Sequence, residues 1–93
     1  SAEFLEVAEE NGFGLEGLLK CDPEERASKF VDIALRMAYV LPEEIDYTQN
    51  MVDLLLELAA KKDDFYDNVR RKILELDQEV VPSRAVTILY GIV

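Results

Sequence analysis

Residues 22–41 constrain the fold of this chain more than any other stretch. They open on Asp22-Pro23, which is typical of a helix start, because the aspartate can cap the first turn and the proline fits the first helical position. Apolar side chains then recur at the i, i+3, i+4, i+7 spacing of a helix and spread over most of its circumference. A helix that is apolar on so many sides must be covered on more than one of them. The sequence therefore predicts a central helix.

Two segments precede the central helix. Residues 2–10 have helical spacing, with Ser1 as a possible cap and Asn11-Gly12 as a stop signal. Residues 12–21 hold three of the four glycines, and the leucines among them predict a turn or two of helix that closes one end of the core.

Two further segments follow it. A new helix starts at residues 43–45 or is capped again at Asp46, and its short join to the central helix predicts an antiparallel hairpin. Residues 65–81 predict another helix, capped by Asp63 or Asp64. Its apolar stripe is narrow, so we expect it on the outside of the fold.

Residues 84–93 are rich in β-branched side chains, but no second strand is available to pair with them, so we predict a last helix. With 93 residues, 49% of them hydrophobic, the chain can bury one modest core. The sequence thus predicts an all-α fold, with residues 1–93 forming a single small domain of four to five helices. The arrangement is either an antiparallel bundle or a short, solenoid-like stack of helical hairpins.

The chain shows no sign of a membrane or secretory destination. Its longest apolar runs are too short to cross a bilayer, and no signal segment opens it. Cys21 is the single cysteine, which fits a reducing compartment. We expect a cytoplasmic protein without membrane partners.

The sequence also lacks the residues that most catalysis needs. It contains no histidine, which removes the commonest general base and the commonest transition-metal ligand. Paired acids recur, mostly at helix starts, where the helix dipole favours them. Asp22, Glu24 and Glu25 lie close to Cys21 in sequence and oppose a reactive thiolate. We expect no enzyme activity, no cofactor and no bound metal.

Charge is distributed unevenly along the chain. The net charge is −10, and residues 1–25 hold eight acids with Lys20 as the single base. Glu9 and Glu10 fall in the last turn of the first helix, where they oppose its dipole. We expect either that this turn frays or that a basic partner, inside or outside the fold, offsets the charge.

These observations favour a protein–protein interaction module, such as an adaptor, a small subunit or an inhibitor. Its partner would be another protein, or a second copy of the chain in a homodimer; nucleic acid is disfavoured by the net charge. One alternative is an inhibitor whose acidic residues 1–25 mimic nucleic acid. Another is a nucleic-acid-complex subunit that uses the basic cluster Lys61, Lys62, Arg70, Arg71 and Lys72.

The candidate partner-binding residues are those whose side-chain types commonly anchor interfaces. They are Phe13, Phe65, Tyr66, Arg70 and Arg71.

Overall fold

The computed structural model describes residues 2–93, with side chains from residue 3 onward, and this part of the chain is helical without any strand. The all-α prediction is confirmed. The described residues form six helices rather than four or five, because the leucines of residues 12–21 make a short helix of their own. Ser1, the possible cap of the first helix, lies outside the described residues. The helices are α1 (Ala2–Glu10), α2 (Leu15–Lys20), α3 (Pro23–Val40), α4 (Thr48–Lys61), α5 (Phe65–Leu74) and α6 (Ser83–Ile92).

The prediction of a central helix is confirmed by α3. It contacts α1, α2, α5 and α6, and its inward side chains, among them Phe30, Ile33 and Met37, are fully buried. The radius of gyration is 12.2 Å, close to the value of about 12 Å expected for one folded domain of this length. Within the described residues, no helix has both the length and the apolar content needed to cross a membrane.

The predicted hairpin between the central helix and the next one is wrong. Helix α4 begins at Thr48, not at residues 43–45, and it packs against α5 and α6 rather than along α3. The carboxylate of Asp46 accepts hydrogen bonds from the backbone N–H of Thr48 (2.9 Å) and from its hydroxyl (2.6 Å). The connection between α3 and α4 is therefore an irregular segment of residues 41–47, which allows α4 to turn away from α3.

The helix predicted for residues 65–81 is shorter and less peripheral than expected. It ends at Leu74 because Asp77 starts a turn, with its carboxylate accepting from the backbone N–H of Glu79 (3.0 Å). Its buried stripe consists of Phe65, Val69 and Ile73, which cover α3. Helical spacing would place Val80 on this stripe too, but Val80 is 72% exposed.

Two helices start without the predicted side-chain cap. Asp22 and Asp64 occupy the cap positions of α3 and α5, but neither carboxylate bonds to the first turn. Asp64 has a φ of 65°, a left-handed conformation that aspartate tolerates better than most residues.

A buried arginine instead closes the end of α2. Arg26, on the first turns of α3, is 5% exposed. Its Nε donates to the carbonyl of Leu18 (2.8 Å), and its Nη2 donates to the carbonyls of Leu19 (2.9 Å) and Cys21. The Leu18 carbonyl also accepts from the backbone N–H of Cys21 (3.3 Å), and the other two carbonyls lie at the end of the helix, where intrahelical donors run out. The guanidinium thus satisfies them and fixes α2 against α3.

A second arginine closes the end of α3. Arg84 of α6 donates to the carbonyls of Leu41 (2.9 Å) and Pro42 (2.7 Å), and also to that of Ile45. Its guanidinium carbon lies 5.1 Å from the ring centroid of Tyr47, a cation–π distance. Arg84 therefore holds together α6, the end of α3 and the segment that leads to α4.

Tyr47 anchors the same segment from within the core. Its side chain is fully buried, its ring stacks on Phe4 at 6.2 Å, and its hydroxyl donates to the carbonyl of Ala34 (2.7 Å). Burial raises the pKa of Tyr47 to about 12, with Arg84 acting weakly in the opposite direction.

We predict that Arg84→Lys lowers the free energy of unfolding by about 2–3 kcal/mol, because lysine cannot reproduce the fork of hydrogen bonds to several carbonyls. The exposed Arg70→Lys is the matched control and should change it by less than about 0.5 kcal/mol. Urea unfolding of both variants measures the difference. Equal stability of the two variants would show that the carbonyl contacts of Arg84 are unimportant.

We predict that Tyr47→Phe lowers the free energy of unfolding by about 1 kcal/mol at neutral pH, because the hydrogen bond to Ala34 is removed. The pKa of Tyr47 is about 12 in the folded protein, above the value of about 10 in the unfolded chain. The contribution of the neutral Tyr47 side chain to the free energy of unfolding is therefore complete below pH 10 and is lost as the pH rises through 12. Over that interval the wild type should lose roughly 2–3 kcal/mol that the variant does not lose. Parallel stability curves for the two proteins between pH 10 and 12 would refute this.

Candidate protein-interaction groove

An apolar groove opens between α1, the start of α2 and α4, with α3 beneath it. Its volume is about 300 Å³. The side chains and backbone that line it are Phe4, Leu5, Ala8, Glu9, Phe13, Gly14, Leu15, Ile33, Asn50, Asp53, Leu54 and Glu57.

The end of α1 shapes one wall of this groove. Phe13 donates its backbone N–H to the carbonyl of Ala8 (2.8 Å), and Gly12 donates to that of Glu9 (3.1 Å), the two bonds of a Schellman motif. Gly12 has a φ of 76°, which glycine adopts without strain. The predicted end of the helix at Asn11-Gly12 is thus confirmed. The motif also places Phe13 on the wall of the groove, beside Ala8.

The groove has a buried floor and partly open walls. Phe4, Ala8 and Ile33 form the floor and are 7% exposed or less. Phe13 and Leu54 form part of the walls and are half-buried. Helical spacing places Leu5 on the same face of α1 as Phe4, but Leu5 is 63% exposed at the lip of the groove. The fold therefore leaves apolar surface open along a concave site.

The rim of the groove is acidic. Glu9, Asp53 and Glu57 are exposed along it, and no lysine or arginine is among the lining residues. Asp53 accepts a hydrogen bond from the neutral Gln49 amide (2.9 Å), and Glu57 lies 3.7 Å from Lys61. The Glu9 carboxylate lies over Gly14, with one oxygen 3.4 Å from the position that a Cβ would take there.

The basic cluster considered for nucleic acid is partly occupied within the fold. Arg71 and Lys72 both pair with Glu24, Lys72 at 3.1 Å, and hydrogen bonds from these two residues hold the pKa of Glu24 below its usual value. The pairing joins α5 to the start of α3.

Cys21 behaves as the sequence indicated. Burial, followed by a hydrogen bond to Glu25, raises the pKa of its thiol. Its Sγ donates to the carbonyl of Gly17 (3.3 Å). This environment disfavours the thiolate.

The five candidate partner-binding residues do not form one site. Phe13 lines the groove, and the guanidinium carbon of Arg36 lies 5.7 Å from its ring centroid. Phe65 was predicted as a contact residue, but it is 2% exposed and meets the ring of Phe30 edge-on at 5.5 Å. It belongs to the core because α5 turns this side, not the Tyr66 side, toward α3.

The other three candidates lie on the outer surface of α5. Tyr66 is 41% exposed, Arg70 is exposed, and Arg71 pairs with Glu24 and also donates to Asn68 (3.0 Å).

Sequence reasoning missed most of the groove. Spacing alone assigns Leu5 and Leu54 to helix faces that pack inward, and it assigns Asp53 and Glu57 to solvent. One further signal was that the apolar residues of α4 spread beyond a single helical stripe. Within the described residues, no group of three or more acidic or cysteine side chains is arranged to hold a metal ion.

Comparison of the chain with protein-family models, with curated proteins and with solved structures finds no match.

The role of the α1 terminus can be tested at two glycines. A Cβ would meet no atom within 4 Å at Gly12 or at Gly91, so the two sites differ in backbone conformation and not in space. We predict that Gly12→Ala lowers the free energy of unfolding by about 1–2 kcal/mol, because alanine is strained at positive φ. Gly91→Ala in α6 should raise it by a few tenths to about 1 kcal/mol. Thermal unfolding measures both, and changes of the same sign would contradict the assignment.

Proposed function

We propose that this protein is an interaction module without catalysis of its own, and that the groove between α1, α2 and α4 is where its partner docks. The observation that supports this most directly is Leu5, a large apolar side chain left 63% exposed at the lip of a concave apolar site. An apolar groove with a polar rim is a usual place for a helical peptide to bind.

The composition of the groove favours a protein partner over a small polar ligand. Its floor and walls are aliphatic and aromatic, and its polar groups stand at the edge, as in the core and rim of protein interfaces. Phe13 is among these walls, and aromatic side chains are enriched at interface anchors. The groove thus offers a partner an apolar surface to bury, with charged side chains along its rim.

Ion pairs within the fold make the two alternative functions less favourable. Glu24 pairs with Arg71 and Lys72, and Glu25 pairs with Lys29 (3.5 Å), so part of the acidic N-terminal segment is neutralised. The same contacts use cations that a nucleic-acid subunit would need. The groove depends on none of these paired side chains and is therefore the better candidate.

The test uses a displayed library of helical peptides with a fixed apolar stripe at i, i+3 or i+4, and i+7. Peptides selected on the wild type are then measured against Leu5→Gln and Leu56→Gln. The two leucines are 63% and 62% exposed, but Leu56 does not line the groove. We predict that Leu5→Gln weakens binding about 5- to 10-fold, because glutamine buries less apolar surface against the peptide, and that Leu56→Gln leaves it unchanged.

Equal effects of the two substitutions would place binding elsewhere on the surface. Failure of the wild type to retain any library peptide would count against the groove as a docking site.

A further inference from the structure

We propose that the partner presents a basic amphipathic helix, with apolar side chains in the groove and lysine or arginine on both sides of its apolar stripe. This inference rests on the proposed function, because it names the chemistry of the partner that the groove would receive.

The first argument is the electrostatics of the end of α1. Glu9 and Glu10 lie in its last turn, next to the negative end of the helix dipole, which disfavours carboxylates. No basic residue stands in that turn, and neither glutamate forms a salt bridge within the described residues. The turn is closed by its Schellman bonds. Since no base within the described residues pairs with Glu9 or Glu10, we infer that a basic partner outside the fold offsets their charge.

The second argument is the contrast between the groove and other acidic positions. Glu24, at the far end of the acidic segment, is paired with two bases of α5. On the groove rim, Glu57 pairs with Lys61 (3.7 Å), and Arg36 lies against Phe13 without lining the site. Glu9 and Asp53 form no salt bridge within the described residues. The groove thus presents two carboxylates that no base of the described residues pairs with.

The third argument is the geometry of the two walls. Glu9 stands on the α1 side, whereas Asp53 and Glu57 are one helical turn apart on the α4 side. A helix laid between these walls places its apolar stripe on Phe13 and Leu54. The positions that flank its stripe then face carboxylates on either side. Lysine and arginine at these positions gain opposite-charge contacts, whereas acidic residues are repelled.

The experiment uses a library in which the apolar stripe is fixed and every flanking position encodes lysine or glutamate with equal probability. We expect the sequences retained by the wild type to be enriched in lysine at the flanking positions. For a retained basic peptide, the double variant Glu9→Gln/Asp53→Asn should weaken binding by roughly 3- to 30-fold. Higher ionic strength should reduce the affinity of the wild type more than that of this variant.

The matched control is Glu44→Gln/Glu79→Gln, which removes the same net charge from exposed positions outside the groove. It should leave the affinity within about twofold, since neither carboxylate lines the groove and solvent and salt screen exposed charges that do not contact the peptide. An equal loss in both double variants would mean that overall charge, not the groove rim, attracts the peptide, and would overturn the inference.

The remaining outcomes separate this inference from the proposed function. Retained peptides with no preference for lysine, or with a preference for glutamate, would overturn the basic partner while leaving the groove as a docking site. No retained peptides at all would count against both. A dimer of the chain in sedimentation that Leu5→Gln dissociates would show that the groove is covered by a second copy, and would also overturn the basic partner.

Discussion

The arrangement of this fold depends on two guanidinium groups that satisfy the open carbonyls at helix ends. A helix leaves its last carbonyls without partners, and burying them unsatisfied is costly. Arg26 takes up those at the end of α2, and Arg84 takes up those at the end of α3 and in the segment that follows. No buried side-chain polar atom lacks a partner in the described part of the chain. A short helix and an irregular connection can therefore pack against the core with these carbonyls paired.

The groove follows from the second of these contacts. Because Arg84 and Tyr47 hold residues 41–47 in a fixed path, α4 leaves the axis of α3 and packs on α5 and α6. Helix α1, which forms the other wall of the groove, covers another part of α3. Ile33 lies beneath the gap between α1 and α4, and neither helix is close enough to fill that gap. The apolar walls are thus a consequence of how the helices are held apart.

Sequence patterns predicted those parts of the fold that depend on local periodicity. The central helix and the stop at Gly12 follow from spacing and from one glycine, and the last helix follows from the lack of a second strand to pair with residues 84–93. The path of α4 could not be predicted in this way, because it depends on Arg84, which is 39 or more residues distant in sequence from each carbonyl that it binds. The assignment of Phe65 to a partner-binding surface failed for a related reason. Phe65 and Tyr66 are adjacent aromatic residues, and only packing on Phe30 decides which of them is buried.

Of the candidate site, the sequence indicated Phe13 and the uncompensated acids of α1, but not the groove that brings them together.

The most direct test of this account is an NMR measurement of guanidinium proton exchange in the wild-type protein. The side-chain protons of Arg26 and Arg84 should exchange far more slowly than those of the exposed Arg36 and Arg70, because carbonyl acceptors hold them away from water. Similar exchange rates for all four side chains would contradict the claim that two arginines close the helix ends and set the path of the chain.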